Sequence, residues 1–449
     1  MKTATFRHGI HPGDHKDYTS ARTIQKLGES EIMIFPLSQH IGAPCEALVS
    51  VGDRVYVGTK IGDCGAFVSA PIHSSVSGEV IKIEQRRTVN GTLANCVVVK
   101  NDFKNAAEPS INVPKDYEKC TPEEICALVR EAGIVGMGGA TFPTHVKLTV
   151  PKDKKIDCLI INGAECEPYL TSDHRVMLET PEQVVLGLKI AMRATGADKG
   201  YIAVETNKAD AIKLLSSLVE NEENIAVRPL KVKYPQGSEK HLIYAITHRE
   251  VPSGGLPSDV GAVVLNIDTT TAIARKFLYG TPLIRRIVTL GGDAVKNPEN
   301  YYVKIGTPIS WIIEQNGGFA AEPRKVLAGG PMMGIPLFDL DVPVVKGTGA
   351  VLAFTSDVLC LQEQEDNCIR CGKCVSACPM NLLPLYINDY YRINNVSMCE
   401  KYNAADCIEC GSCSFVCPSK RHLVQTIRLA KQEVISQKRE RTRLQEAAK

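Results

Sequence analysis

Two runs near the end of this 449-residue chain concentrate chemistry in few residues: CIRCGKCVSACP, Cys368–Pro379, and CIECGSCSFVCP, Cys407–Pro418. Each reads C-x2-C-x2-C-x3-C-P. At this spacing three thiolates wrap one corner of a [4Fe–4S] cube and the fourth reaches the neighbouring cube. Cys368, Cys371, Cys374 and Cys417 are therefore expected on one cluster, and Cys407, Cys410, Cys413 and Cys378 on the other. Gly372 and Gly411 relieve crowding where backbone passes close to sulfur, and Pro379 and Pro418 end each loop. Structural zinc favours two separated C-x2-C pairs. Disulfides belong to oxidising compartments, and the opening MKTATFRHGI has no apolar signal core. The remaining nine of the 17 cysteines (Cys45, Cys64, Cys96, Cys120, Cys126, Cys158, Cys166, Cys360, Cys399) lack such spacing and are expected as small buried hydrophobes. Two adjacent cubes carry single electrons and break no bonds, so an electron source or sink is expected elsewhere in the chain.

A second candidate is the glycine-rich stretch GIVGMGGATFPTHVK, Gly133 to Lys147. It is neither G-x-x-x-x-G-K-[ST] nor a G-x-G-x-x-G directly after a strand. Alone it is a weak signal, because many such loops are only turns.

The elements that must position these residues are legible in outline. Residues 35–100 alternate apolar and polar positions with Gly and Pro at the corners, the pattern of short strands. They resemble the barrel-sandwich fold of lipoyl and biotinyl carrier domains. The stretch that would present a carrier lysine, GDCGAFVSAP, has none, so a scaffold or docking role is the better reading. From residue 120 the pattern changes. Thr121 is placed to cap a helix, with Pro122 at its first position and Glu124 closing a capping box. IDCLIINGAECEP is an apolar strand ending in a polar turn. TPEQVVLGLKIAMRATGA, KGYIAVE, KADAIKLLSSLVE and GAVVLNIDTTTAIARKFL then read as helix, strand, helix, and strand followed by helix. Such alternation implies a parallel α/β sheet. Residues 283–325 read as strand, turn, strand, helix, in a small β-grasp arrangement. From Lys420 nine Lys and Arg face three acids, a basic helix whose plain explanation is a solvated helix end.

Composition sets outer limits. Hydrophobic residues make up 44% and charged residues 23%, which fits a globular chain with real cores. A net charge of +2 is too small to argue for nucleic acid. No stretch approaches the ~20 unbroken apolar residues of a membrane span. The richest, Val326–Phe354, is cut by Pro331, Pro336, Asp339, Asp341 and Pro343.

The glycine-rich loop resembles the G-R-G-G-A-G-F-P-T-x-x-K loop that holds FMN in the NADH-oxidising subunit of respiratory complex I. Gly136, Gly138, Gly139, Ala140, Phe142, Pro143, Thr144 and Lys147 fit that frame; Met137 replaces the arginine and Thr141 a glycine. The next family element, N-x-D-E-x-E-P, occurs as NGAECEP, Asn162 to Pro168, with Ala164 for the aspartate. A G-E-E element occurs as QGSEKHL, keeping Gly237 and Glu239 around Ser238. An N-N-x-E-T strand end occurs as LNIDTTTAI, with Asn266 and Thr269. The order barrel-sandwich, flavin-type α/β domain, β-grasp, two ferredoxin runs is similar to the C-type member of Rnf-type ion-translocating ferredoxin:NAD oxidoreductase complexes, over residues 1 to about 425.

That resemblance implies an α/β multidomain chain. Its expected parts are a barrel-sandwich domain at 1–115, a Rossmann-like FMN/NADH domain at 116–281, a β-grasp (SLBB) domain with linker at 282–358, an α-helical two-cluster ferredoxin-like domain at 359–425, and a basic helical tail at 426–449. It implies FMN held by the glycine loop, with Lys147 near the phosphate and Asn162 at the ring edge. Glycines admit close backbone approach, and free N–H groups bind phosphate. Glu165 and Glu167, and more weakly Asp173, are implied to seat NAD(H), since ionised carboxylates accept from ribose hydroxyls. For any single one, a solvated loop end is the plain alternative. Hydride passes between nicotinamide and flavin, with the protein supplying position and electrostatics. The implied setting is peripheral, on the cytoplasmic face of the cell membrane. The implied partners are the membrane and iron–sulfur subunits of the complex and, indirectly, ferredoxin; no nucleic acid is expected. Two alternatives stand beside this. A cobalamin-reducing flavoprotein shares the parts, but its resemblance implies ferredoxin runs ahead of the β-grasp domain. A non-catalytic iron–sulfur relay is kept open by Met137, Ala164 and Ser238.

Overall fold

The computed structural model describes residues 3–355 and 364–447. Cys360 and the expected boundary at 358/359 lie outside the described residues.

The first part is built as two small antiparallel sheets. Ile32–Pro36, Leu93–Asn101, Gly78–Arg87 and Arg54–Val55 form one, and Glu46–Ala47, Lys60–Asp63 and Ile72–His73 the other. Phe35, Val55, Ile61, Ile72 and Val97 pack into a shared core. The turn after Asp63, where a carrier lysine would stand, docks on the α/β part. Arg130 donates to Asp63 Oδ1 at 3.1 Å and to the Cys64 carbonyl at 2.8 Å. The His145 ring lies 2.9 Å from the Phe67 carbonyl and edge-on to the Phe67 ring. Buried Lys346 ties the same two parts, donating to the carbonyls of Pro71 and Gly133, and burial pushes its pKa down to about 7.

The α/β part is a parallel four-stranded sheet in the order Ile225–Leu230, Lys199–Glu205, Cys158–Gly163, Ala262–Asn266. These strands are almost entirely buried, as expected when helices cover both faces. The helix Pro122–Glu131 opens with the Thr121–Glu124 capping box and a proline at its first position, as its sequence predicts. Successive strands are added on one side of Cys158–Gly163, and the last returns to its other side. The winding therefore reverses between Cys158–Gly163 and Ala262–Asn266, and ligands of such sheets sit in the crevice at that reversal.

The β-grasp part contributes Arg285–Gly291, Glu299–Lys304, the helix Ile309–Gln315 and Lys325–Ala328. Its sheet is completed by Ala350–Phe354 and, at the far edge, by Gln25–Lys26. Residues 3–26 thus do not stay with the barrel-sandwich. Ala4 bridges to Leu230 and Ile10 to Tyr234, and Gly9 N–H donates to the Ala377 carbonyl. Lys16 is buried beneath Glu167 and Leu170, whose carbonyls it binds at 3.0 and 2.5 Å.

The last part is helical: Lys373–Ala377, Pro384–Arg392, Val396–Lys401, Ser412–Phe415 and the long Leu423–Ala447. The basic helix is not solvated throughout. Leu423, Ile427, Ala430 and Val434 are buried with Leu382, Ile387 and Cys399, so its first three turns belong to the cluster core. Arg428 and Lys431 pair with Glu409, and Lys438 and Arg441 with Glu400. Among the described residues no helix is long and apolar enough to cross a membrane. Of the non-run cysteines, Cys45, Cys96, Cys120, Cys158 and Cys399 are buried, whereas Cys64, Cys126 and Cys166 are half-buried.

Candidate functional site

At the reversal of winding, Asn162 and Asn266 are register partners. Asn266 caps the following helix, accepting from Asp268 N–H at 2.9 Å, and its amide donates to Asp173 Oδ2 at 2.6 Å. Asn162 donates to the Gly237 carbonyl at 2.8 Å and accepts from Ala164 N–H at 3.2 Å. The glycine-rich loop lies over this crevice. Thr269 clasps it, accepting from Met137 N–H at 2.9 Å and donating to the Val135 carbonyl at 3.3 Å. From the β-grasp sheet, buried Arg286 donates to the Met137 carbonyl at 3.2 Å while paired with Asp268 at 2.6 Å. Gly136 N–H closes the loop on the Phe142 carbonyl.

Gly138, Gly139 and Ala140 are exposed, and among the described residues their N–H groups have no partner. A Cβ on Gly138 would lie 2.7 Å from Asn266 Nδ2, whereas one on Gly139 would meet nothing within 4 Å. The loop thus offers three consecutive free donors, with open space at Gly139, the form of a backbone anion site, and the residues fit a flavin phosphate. Thr141, where the resembling loop has glycine, adopts φ +53°. A β-branched residue is costly there, and such strain gathers at ligand sites.

The carboxylates divide by task. Glu165 turns back at φ +44° to cap the helix Ser172–Glu179, accepting from Asp173 N–H at 2.7 Å and His174 N–H at 3.3 Å. Its carboxylate is therefore engaged within the chain. Asp173 sits beside it; burial, with Glu165 and Asp268 nearby, pushes its pKa up. Lys147 and Glu239 are ion-paired at 2.5 Å, and Lys147 also donates to the Val264 carbonyl, so this lysine is neutralised rather than free. Glu167 differs. Its Oε2 accepts from Met332 N–H at 3.0 Å, and Met333 N–H and Tyr234 lie close enough to favour its charge, but among the described residues its buried Oε1 has no hydrogen-bond partner. Burial pushes its pKa up to about 7. It is the carboxylate with acceptor capacity to spare.

Beside Glu167 the α/β part meets the cysteine runs. The Tyr234 hydroxyl, 1% exposed, donates to the Cys410 carbonyl at 2.8 Å, and the His241 ring lies 2.9 Å from the Pro379 carbonyl. Ile10, Tyr234, Ala377 and Cys410 form one apolar cluster edged by Cys166 and Met332. Cys368, Cys371, Cys374 and Cys417 line a single open cavity with about 400 Å³ of empty volume, with Ile369, Leu385 and Pro418. Cys378, Cys407, Cys410 and Cys413 lie within electrostatic reach of one another. Each quartet thus draws one thiol from the other run. Among the described residues no three His, Cys, Asp or Glu side chains converge to hold one metal ion. Lys16, Tyr234, Asp268 and Arg286 were not foreseeable from the sequence, since an isolated Tyr or Arg beside apolar residues carries no signal of what it will meet.

The chain matches four family descriptions in order: RnfC barrel sandwich hybrid domain over residues 4–104, Nuo51 FMN-binding domain over 129–275, SLBB domain over 287–336, and 4Fe-4S dicluster domain over 367–421. The RnfC protein of the Na(+)-translocating ferredoxin:NAD(+) oxidoreductase complex of Acetobacterium woodii is 49% identical over 439 residues, 98% of this chain and 99% of its own. Its counterpart in the proton-translocating ferredoxin:NAD(+) oxidoreductase complex of Clostridium ljungdahlii is 45% identical over 434 residues, 96% and 94% of the two chains. A crystal structure of air-oxidised NAD+-reducing [NiFe]-hydrogenase is alike over 64% of this chain and 51% of that one, at 20% identity and TM-score 0.46. With identity of this degree along nearly its whole length, the chain belongs to the RnfC family of ferredoxin:NAD+ oxidoreductase complexes, electron-transfer subunits with FMN-binding and [4Fe–4S] domains.

Proposed function

We propose that electrons cross this chain between NAD(H) at the crevice beside Asn162 and Asn266 and partner subunits at the cluster of Cys368, Cys371, Cys374 and Cys417, by way of the cluster of Cys378, Cys407, Cys410 and Cys413. The observation that carries this order is the Tyr234–Cys410 hydrogen bond. It joins a ligand of one quartet to the loop whose Gly237 carbonyl, three residues further on, accepts from Asn162, while Cys371 of the other quartet is exposed.

FMN held by the glycine loop would supply the exchange between a two-electron hydride carrier and a pair of one-electron clusters. The chain's residues supply the rest. Gly138, Gly139 and Ala140 offer N–H groups to the phosphate. Asn162 and Asn266 set the floor, and Thr269 and Arg286 hold the loop over it. Glu167 offers its unpaired oxygen to a dinucleotide hydroxyl. Glu165 acts one step back by orienting the helix that carries Asp173, and Glu239 fixes Lys147.

The chain has its place among the other subunits of its complex. Held by those partners at the cytoplasmic face, it reaches ferredoxin indirectly and has no use for nucleic acid. The test is direct. Anaerobically purified chain should contain FMN, and NADH should bleach it and then reduce both clusters. Clusters that reduce chemically but not with NADH, in a chain without flavin, would leave only a relay.

A further inference from the structure

The two cysteine runs differ at a position whose side chain touches a ligand in one run. Between the second and third cysteines the first run has Lys373 and the second has Ser412. Lys373 is exposed, whereas Ser412 is fully buried, with its Oγ 3.3 Å from Cys410 Sγ. A cluster-bound thiolate has no proton, so in that pair the hydroxyl must donate. Ser412 Oγ has no other hydrogen-bond partner among the described residues, and a buried hydroxyl takes whatever partner it is given. From the same cysteine's other side, Tyr234 holds the Cys410 carbonyl.

We propose that the Ser412 hydroxyl raises the reduction potential of the inner cluster, with Tyr234 as the positioning residue that keeps Cys410 against it. The proposal rests on the reading that Cys378, Cys407, Cys410 and Cys413 bind that cluster. One-electron reduction adds one negative charge, shared in part by the thiolate sulfurs, and moves no proton. Burial opposes that charge, and Cys378, Cys410 and Cys413 are all buried while no ligand of the outer quartet is. With identical ligands, the inner cluster would therefore be the harder to reduce and would stand as an uphill step between the flavin crevice and the outer cluster. A hydroxyl aimed at sulfur stabilises the reduced form more than the oxidised one, because hydrogen bonds to sulfur are among the determinants of cluster potential. Cys371 of the outer quartet is exposed, so solvent can stabilise that cluster's charge without such a donor. Backbone N–H groups reach sulfur in both quartets: Arg370 to Cys368, Leu382 to Cys378, and Glu409 to Cys407. They do not account for the difference at Cys410. Lys431 also lies near, on the Cys407 carbonyl, but Glu409 balances its charge at 3.0 Å.

The experiment is an anaerobic redox titration of the full chain followed by EPR, repeated in a Cys371→Ala background to assign the inner signal. Ser412→Ala should lower the inner cluster's reduced-to-oxidised ratio at fixed potential roughly tenfold, a shift of about 59 mV to more negative values for one electron. The outer midpoint should not move. Ser412→Thr, which keeps the hydroxyl, should restore the inner value, and Lys373→Ala should leave it alone. Tyr234→Phe should shift it in the same direction as Ser412→Ala, by less. Unchanged midpoints in Ser412→Ala, or an equal shift in Ser412→Thr, would overturn the proposal. Failure of the ligand reading itself shows earlier and separately, as four irons rather than eight in the unaltered chain.

Discussion

Asn162 and Asn266 end adjacent parallel strands as register partners, and neither amide is spare. One is bound to Gly237 and Ala164, the other to Asp173 and Asp268. The crevice floor is therefore set by two side chains already held in place, and a ligand need not order them. Preorganisation of this kind reduces the cost of binding.

The glycine loop separates space from packing. Gly139 has open space where a Cβ would go, and Gly138 has the Asn266 amide at 2.7 Å. Gly139→Val should therefore leave fold and clusters intact and abolish flavin binding. Gly138→Val should lose flavin and also lower the melting temperature. Flavin fluorescence, iron content and thermal unfolding together distinguish the two. Full NADH oxidation in Gly139→Val would place electron entry elsewhere.

Glu167 should show itself in both binding and pH dependence. Glu167→Gln keeps shape and removes charge, so FMN should remain while NADH binding weakens by roughly 1–3 kcal/mol, the worth of a charged hydrogen bond. NADH-to-ferricyanide activity should fall with it, and chemical reduction of the clusters should not change. Burial raises its pKa from 4.5 to about 7. Below pH 4.5 folded and unfolded states both hold the proton. Between 4.5 and 7 only the folded state does, so this carboxyl's contribution to stability falls as pH rises through that window. The melting temperature of Glu167→Gln relative to the parent should accordingly be higher at pH 8 than at pH 4.5.

Eight irons should be present per chain, with [4Fe–4S] signals on reduction. Cys371→Ala should lose the outer cluster and Cys410→Ala the inner. Because Cys410 is also tied to Tyr234, the second change should in addition interrupt reduction of the outer cluster by NADH. Bound zinc in place of iron would contradict both quartets.

The C-terminal helix should behave as two pieces. Deleting residues 426–449 removes Ile427, Ala430 and Val434 from the cluster core, so iron should be lost along with any assembly. Deleting 437–449 spares that core and removes the exposed basic turns. It should retain eight irons and weaken attachment to partner subunits, read as release from membranes at lower salt. Tight binding of the intact chain to pure lipid vesicles would point instead to direct membrane contact.

Much of this protein is written locally. The grouping of the cysteines was legible because short fixed spacing limits which thiols can meet, and Cys368, Cys371, Cys374 and Cys417 do line one cavity. The helix at Pro122 was legible because Thr121 and Glu124 satisfy its end within four residues. The parallel sheet followed from alternating apolar strands and amphipathic helices. Other elements gave no clear pattern, among them the helix Ser172–Glu179, the strand Ile225–Leu230, interrupted by Arg228 and Pro229, and the short helix Glu239–Thr247.

What the tertiary structure alone decided are pairings between residues far apart in the chain. Glu165 and Glu167 stand two positions apart in one motif, yet one is consumed in capping a helix and the other keeps an oxygen without a hydrogen-bond partner among the described residues. Lys147 met Glu239 across 92 positions, and Lys16 crossed from the N-terminus to lie under Glu167. Spacing in sequence reports which groups are close when the chain between them is too short to do otherwise. It is silent on long-range contacts, because those are set by how buried surfaces close on one another. Tyr234 on Cys410, 176 positions away, is such a contact, and it ties the α/β part to the second cysteine run.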